Sequence, residues 1–144
     1  MDGRVTITRD YEFSAAHRIE GHPKCGRMHG HNYRVTVGIT ADSLMGGMIL
    51  DYGEMDKVIK PIIEQFDHHY MVSNSNLEAN DPYFAAAPVG DIAFTHTDAS
   101  TAECLAERLC ALISDAFLGT SNIDVLFVQV DETPKSSAFY QRGL

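Results

Sequence analysis

The segment Cys25-Gly26-Arg27-Met28-His29-Gly30-His31 concentrates the reactive side chains of this chain. A thiol precedes two imidazoles that stand one residue apart. If a strand begins here, residues 29 and 31 project to the same side of it. Both can then reach one ion. His17 lies upstream, at the end of another strand-like run. Three neutral ring nitrogens with an open fourth position suit a catalytic zinc site. The spacing matches neither His-Glu-x-x-His nor a paired-cysteine motif. Cys25 reads in two ways. Near Lys24, Arg27 and a metal it is favoured as a thiolate that attacks or moves a proton. As a fourth zinc ligand it closes a structural site instead.

Two acidic positions add to this set. Asp67 precedes His68, and a carboxylate can orient and charge an imidazole for general acid/base work. His69 competes for that role, and a histidine near a helix C-terminus is also favourable without any chemistry. Glu132 follows an apolar strand. A carboxylate held there can accept two hydrogen bonds from an aminopyrimidine edge, or it can be an ordinary turn acid. Arg18, His22, Lys24 and Arg27 crowd the organising segment and make a local basic pocket for an anionic small molecule.

The elements that must position these residues follow from periodicity. Val5, Ile7, Tyr11 and Phe13 alternate with polar residues, and Ser14-Ala15-Ala16-His17 continues that strand. A Gly- and Pro-containing connection leads to a second strand over Asn32–Thr40. Asp51 with Glu54 forms a capping box ahead of a helical stripe running from Met55 to Phe66, which Pro61 should kink or end. Ser73 to Ala99 lacks periodicity. Ser100-Thr101-Ala102-Glu103 is a second capping box, and Ala102, Leu105, Leu109, Leu112 and Ile113 form a second stripe, with Gly119 as terminator. Ile123–Val130 is an apolar strand, Asp131–Pro134 a turn, and Ala138–Gln141 a short last strand. The expectation is one α+β domain over residues 1–144, in the order ββααββ. Both helices should cover one face of a four-stranded antiparallel sheet. Such a sheet leaves edges open, and oligomerisation is the natural remedy.

Composition narrows the class. The chain has 144 residues and is 44% hydrophobic, which suits one folded domain. Its formal net charge of −9 argues against a duplex nucleic-acid binder. Three unevenly spaced cysteines do not form a disulfide framework, and Cys104 and Cys110 read as helix filler. No signal peptide or membrane-length apolar run is evident, so a cytoplasmic location is expected.

Taken together the motifs resemble the 6-pyruvoyl- and 6-carboxy-tetrahydropterin synthases. The resemblance begins at Phe13-Ser14-Ala15-Ala16-His17 and continues through Cys25-x-x-x-His29-Gly30-His31-Asn32-Tyr33. It takes in Leu50-Asp51-Tyr52-Gly53, Phe66-Asp67-His68, Thr101-Ala102-Glu103 and Glu132-Thr133-Pro134 with Ala138 and Tyr140. It implies that His17, His29 and His31 hold Zn2+. It implies a catalytic trio of Cys25, Asp67 and His68. Glu132 would anchor the aminopyrimidine end of the pterin with help from Thr101, and Arg18 and Arg27 belong to the basic group that would receive a triphosphate. The implied substrate is 7,8-dihydroneopterin triphosphate, and the implied fold is the tunnelling fold, whose barrel is completed by oligomerisation into a homohexamer of two trimers. The ending Glu132-Thr133-Pro134-x-Ser136-x-Ala138-x-Tyr140 looks closer to the 6-carboxy group, a zinc-dependent lyase of the queuosine pathway. The 6-pyruvoyl activity is the alternative. A non-catalytic pterin binder or a structural-zinc protein are rivals of another class. The segment around residues 85–98 looks longer than is usual in bacterial relatives.

Overall fold

Two long strands carry the histidines. The computed structural model describes residues 3–120 and 122–144. Strand β1 (Val5–His17) pairs antiparallel with β2 (His29–Ala41) along its whole length. Tyr11, Phe13, Ala15 and His17 are buried on one side of β1, and Tyr33, Val35, Val37 and Ile39 on the same side of β2. β2 begins at His29, three residues before the start expected from its apolar pattern. The strand period of two therefore carries His29 and His31 onto the face that bears Tyr33.

The buried face is covered by two helices. Helix α1 (Tyr52–Glu64) contributes Met55, Ile59 and Ile63. Asp51 caps it by accepting from Gly53 N at 2.6 Å, while Glu54 pairs with Lys57 at 2.9 Å, so the expected reciprocal box is not made. Pro61 does not end the helix. The carbonyl it cannot satisfy belongs to Lys57, an exposed residue. The longer C-terminal helix, α4 (Ala102–Ala116), adds Leu105, Leu109 and Ile113 and is capped by Thr101, one residue later than expected. The Phe13 and Tyr33 rings stack at 4.8 Å between the strands and anchor the core beneath the histidines.

The segment from His69 to Ala99, which includes the aperiodic stretch, holds five short regular elements. Strand β3 (His69–Val72) runs parallel to β1 through Ala15 and Ala16. Helices α2 (Asn74–Glu78) and α3 (Pro82–Ala86) follow, then a 3-10 turn and β4 (Ile92–Phe94), parallel to β3. Ser73 and Asn76 form a reciprocal cap on α2, and Asp81 caps α3 with Pro82 in its first turn. Strand β5 (Ile123–Thr133) then pairs with β2 and with β6 (Ser136–Gly143). Residues Asp131 to Thr133 belong to β5 rather than to the turn.

The four expected strands are therefore the antiparallel part of a six-stranded mixed sheet, ordered β4-β3-β1-β2-β5-β6. β3 and β4 escape a periodicity reading because they are short, and their parallel partners are distant in sequence. Among the described residues β3 pairs with β1 only at Ala15 and Ala16, so the edge of β1 before Ser14 is open, as is the outer edge of β6. No helix among the described residues is long and apolar enough to cross a membrane.

Candidate functional site

Pairing register builds the centre of the site. His17 lies directly opposite His29, and Ala15 opposite His31. The small Ala15 leaves space that the three rings fill. Their centroids stand 4.6 Å (His17–His29), 5.2 Å (His17–His31) and 5.0 Å (His29–His31) apart. β5 supplies a fourth group. Leu126, Val128 and Val130 alternate onto the buried face, and the same parity carries Glu132 to the histidines. One donor atom from each of His17, His29, His31 and Glu132 falls within 4.8 Å of all the others.

Hydrogen bonds select which nitrogen faces inward. His17 Nδ1 lies 2.8 Å from the Ser100 carbonyl, and His29 Nδ1 lies 2.7 Å from the Arg27 carbonyl. A carbonyl only accepts, so each Nδ1 carries the proton and each Nε2 keeps a lone pair. His17 Nε2 and His31 Nε2 are buried without a hydrogen-bond partner. His31 Nε2 is 2.9 Å from Glu132 Oε1, though not aligned as a hydrogen bond, and His17 Nε2 is 3.9 Å from the same oxygen. Orphaned buried acceptors beside a carboxylate are costly unless a cation joins them. The donor set fits zinc, and backbone carbonyls already hold two of the rings by their other nitrogens.

Burial keeps the His17 and His31 rings neutral. The His17 ring is almost fully enclosed, and burial pushes its pKa down to about 4, with the other two histidines adding to the effect and the Ser100 carbonyl opposing it. Burial likewise lowers His31, against the pull of Glu132. Neutral imidazole is the form that binds metal. In an unfolded chain His17 takes up its proton near 6.5, whereas the folded chain refuses it down to about 4. The unfolded state thus holds more protons in that window, and stability falls as pH drops through it. Metal-free protein is expected to lose up to about 3 kcal/mol between pH 7 and pH 4 from this group. Urea unfolding at the two pH values measures it, and an unchanged midpoint contradicts it.

Asp67 and His68 dock on β1, one of the two strands that carry the histidines. Ser14 N donates to Asp67 Oδ1 at 2.9 Å, and His68 N donates to Ser14 O at 2.6 Å. His68 Nδ1 stands 2.9 Å from Asp67 Oδ1. The Ser14 amide, opposed by burial and helped by His68, holds the Asp67 carboxyl below its ordinary range. His68 has a φ of +59°, a strained conformation for a non-glycine residue, and its side chain is 81% exposed. That ring projects into a cleft of about 730 Å³ shared with His31, Tyr70 and Tyr83. Through His31 the histidine cluster therefore shares one cleft with His68.

The remaining candidates fall in different places. Cys25 is half-buried in the β1–β2 loop and does not line that cleft. Thr101 accepts from Cys104 N at 3.2 Å as the cap of α4. Arg27 is exposed and available to an anion. Arg18 is not: its guanidinium pairs with Asp81 at 2.9 Å and Glu20 at 3.3 Å, and only 15% of its side chain is exposed. That neutralised, enclosed cation is a structural tie and not a receptor for triphosphate. Ser100, which supplies the carbonyl to His17, was missed by the sequence reading. It works through its backbone, for which residue type gives no signal.

The profile of the family described as 6-pyruvoyl tetrahydropterin synthase matches residues 6–143. The Haemophilus influenzae 6-carboxy-5,6,7,8-tetrahydropterin synthase is 25% identical over 141 residues, covering 94% of this chain and 97% of that one. A Methanocaldococcus jannaschii protein provisionally given the same name is 30% identical over 147 residues, covering 92% and 90%. The solved structure of Plasmodium vivax 6-pyruvoyltetrahydropterin synthase superposes with a TM-score of 0.80 at 21% identity, covering 99% of this chain and all of that one, and so shares its fold. With a match that runs from the first strand to the last, the chain belongs to the 6-pyruvoyl tetrahydropterin synthase family and has its tunnelling fold.

Proposed function

We propose that this chain is a zinc-dependent 6-carboxy-5,6,7,8-tetrahydropterin synthase. It converts 7,8-dihydroneopterin triphosphate into 6-carboxy-tetrahydropterin, acetaldehyde and triphosphate. One observation carries the reading: three histidines whose donor atoms converge share, through His31, one cleft with an acid-paired His68. A structural-zinc site would need no such cleft. Relatives that carry the 6-carboxy name and span nearly the whole chain favour that product over the 6-pyruvoyl one.

His17, His29 and His31 hold the metal in this reading. Bound zinc supplies Lewis acidity toward the hydroxyls of the substrate side chain. Cys25, as thiolate, takes or returns a proton on that side chain, and His68 makes the complementary transfer while Asp67 stabilises its charged form. Glu132 accepts from the aminopyrimidine edge in this reading. In this reading the working pair of Cys25 and His68 forms between subunits, because His68 lines the cleft and Cys25 does not. The open edges of β1 and β6 support this, since pairing them between copies closes a barrel. A homohexamer in the cytoplasm is the assembly proposed, acting in queuosine biosynthesis.

Zinc-loaded protein incubated with 7,8-dihydroneopterin triphosphate is expected to release acetaldehyde and 6-carboxy-tetrahydropterin, identified by mass. A pyruvoyl product moves the assignment to the 6-pyruvoyl activity. Absence of turnover overturns both.

A further inference from the structure

The loop between β1 and β2 is closed by its own backbone. Ile19 N donates to Cys25 O at 2.7 Å, and Gly26 N donates to His22 O at 2.9 Å. His22 Nδ1 accepts from Cys25 N at 2.9 Å, so this histidine organises the loop. A Cβ at Gly26 would lie 2.4 Å from His22 O, a contact with backbone that no side chain tolerates. Both backbone polar groups of Cys25 are thereby fixed.

Arg18 joins this loop to the rest of the molecule. Its Nε donates to Gly26 O at 2.7 Å, and its Nη1 donates to Asp81 Oδ1 at 2.9 Å. The guanidinium carbon lies 5.5 Å from the centre of the Tyr83 ring. Asp81 has no exposed side-chain surface. It also accepts from the Tyr70 hydroxyl and, at 3.0 Å, from Tyr83 N at the start of α3. One planar cation therefore spans the residue next to Cys25, the segment between β3 and α4, and β3 itself through Asp81.

We propose that Arg18 is a positioning residue that fixes the Cys25 loop against the β3–α4 segment through Gly26 and Asp81. The inference rests on Cys25 being the reactive thiol of the proposed reaction. It depends on the guanidinium fork. A lysine at the same position presents one compact ammonium, which can reach the Asp81 carboxylate but cannot also reproduce the rigid bond to Gly26 O. The charge pair then survives while the loop is released.

The test uses the zinc-loaded full chain carrying Arg18→Lys, with Tyr70→Phe as a milder second variant that removes one hydroxyl from Asp81. Arg18→Lys is expected to keep its zinc and its KM. Its kcat falls by about tenfold, in line with the effect of a small misplacement of a reacting group. Iodoacetamide labels Cys25 several-fold faster, measured by peptide mass, because the released thiol is no longer half-buried. Tyr70→Phe changes both in the same direction and by less. A parental labelling rate in Arg18→Lys overturns the inference, as does a kcat loss that tracks lost zinc. If Arg18→Lys does not fold, a parental labelling rate in Tyr70→Phe overturns it. Normal turnover in Cys25→Ser removes the assignment of Cys25 instead, and the labelling rates still decide the role of Arg18.

Discussion

A chain carrying His31→Ala is expected to fold and to lose zinc and turnover together. The His31 ring is the least enmeshed of the inward pair. Its Nε2 has no hydrogen-bond partner, and its close polar neighbour is Glu132 Oε1 at 2.9 Å. Removing it leaves no backbone group unsatisfied. His17→Ala would instead strand the Ser100 carbonyl, at about 1–3 kcal/mol, and confuse a binding loss with a folding loss. Changes to the outer partners of metal ligands already lower affinity by about 10–100-fold. Loss of a ligand should exceed that range. Competition with a chromogenic chelator measures the zinc affinity, and thermal unfolding of the metal-free form checks the fold. Parental zinc affinity in His31→Ala would place the metal elsewhere and remove the central premise.

How much of this centre could be read from sequence depends on which physical link carries each residue. Alternation over Asn32–Thr40 fixes a face, so the common side of His29 and His31 was legible once a strand was allowed to start at His29. That His17 faces His29 is a matter of register between two strands, which alternation does not set. Glu132 shares parity with Leu126, Val128 and Val130, and that signal was present. The nearby Pro134 drew attention to a turn, and the strand in fact ends only at Thr133. Arg18 shows the opposite failure. Its charge suggested a substrate contact, but a buried carboxylate at Asp81, far along the chain, had already claimed it. Asp81 itself sits before Pro82, a helix-start signal inside a stretch otherwise without period. Short elements such as β3 and α3 are fixed by distant partners more than by local pattern, so composition alone left them blank.

Glu132→Gln is expected to keep zinc and lose substrate. The carboxylate lies close enough to His31 and His17 to be a ligand, and 27% of its side chain is exposed, so it can also be reached by a bound pterin. The two roles respond differently to an amide. A carboxylate accepts at both oxygens, whereas glutamine presents one oxygen and one NH2 group. Toward the amino and ring N–H donors of an aminopyrimidine, that NH2 points donor against donor. A hydrogen bond to a charged group contributes about 1.5–3 kcal/mol, so KM should rise by roughly 10–100-fold. The metal centre changes in another sense. Glu132 raises the proton affinity of His31 against the effect of burial. Removing its charge leaves His31 more firmly neutral, the state that coordinates metal. At saturating zinc the variant should therefore bind as much metal as its parent while its KM rises. Loss of bound zinc with an unchanged KM would make Glu132 the fourth ligand of the centre, and the anchoring of the pterin would have to be sought on another residue.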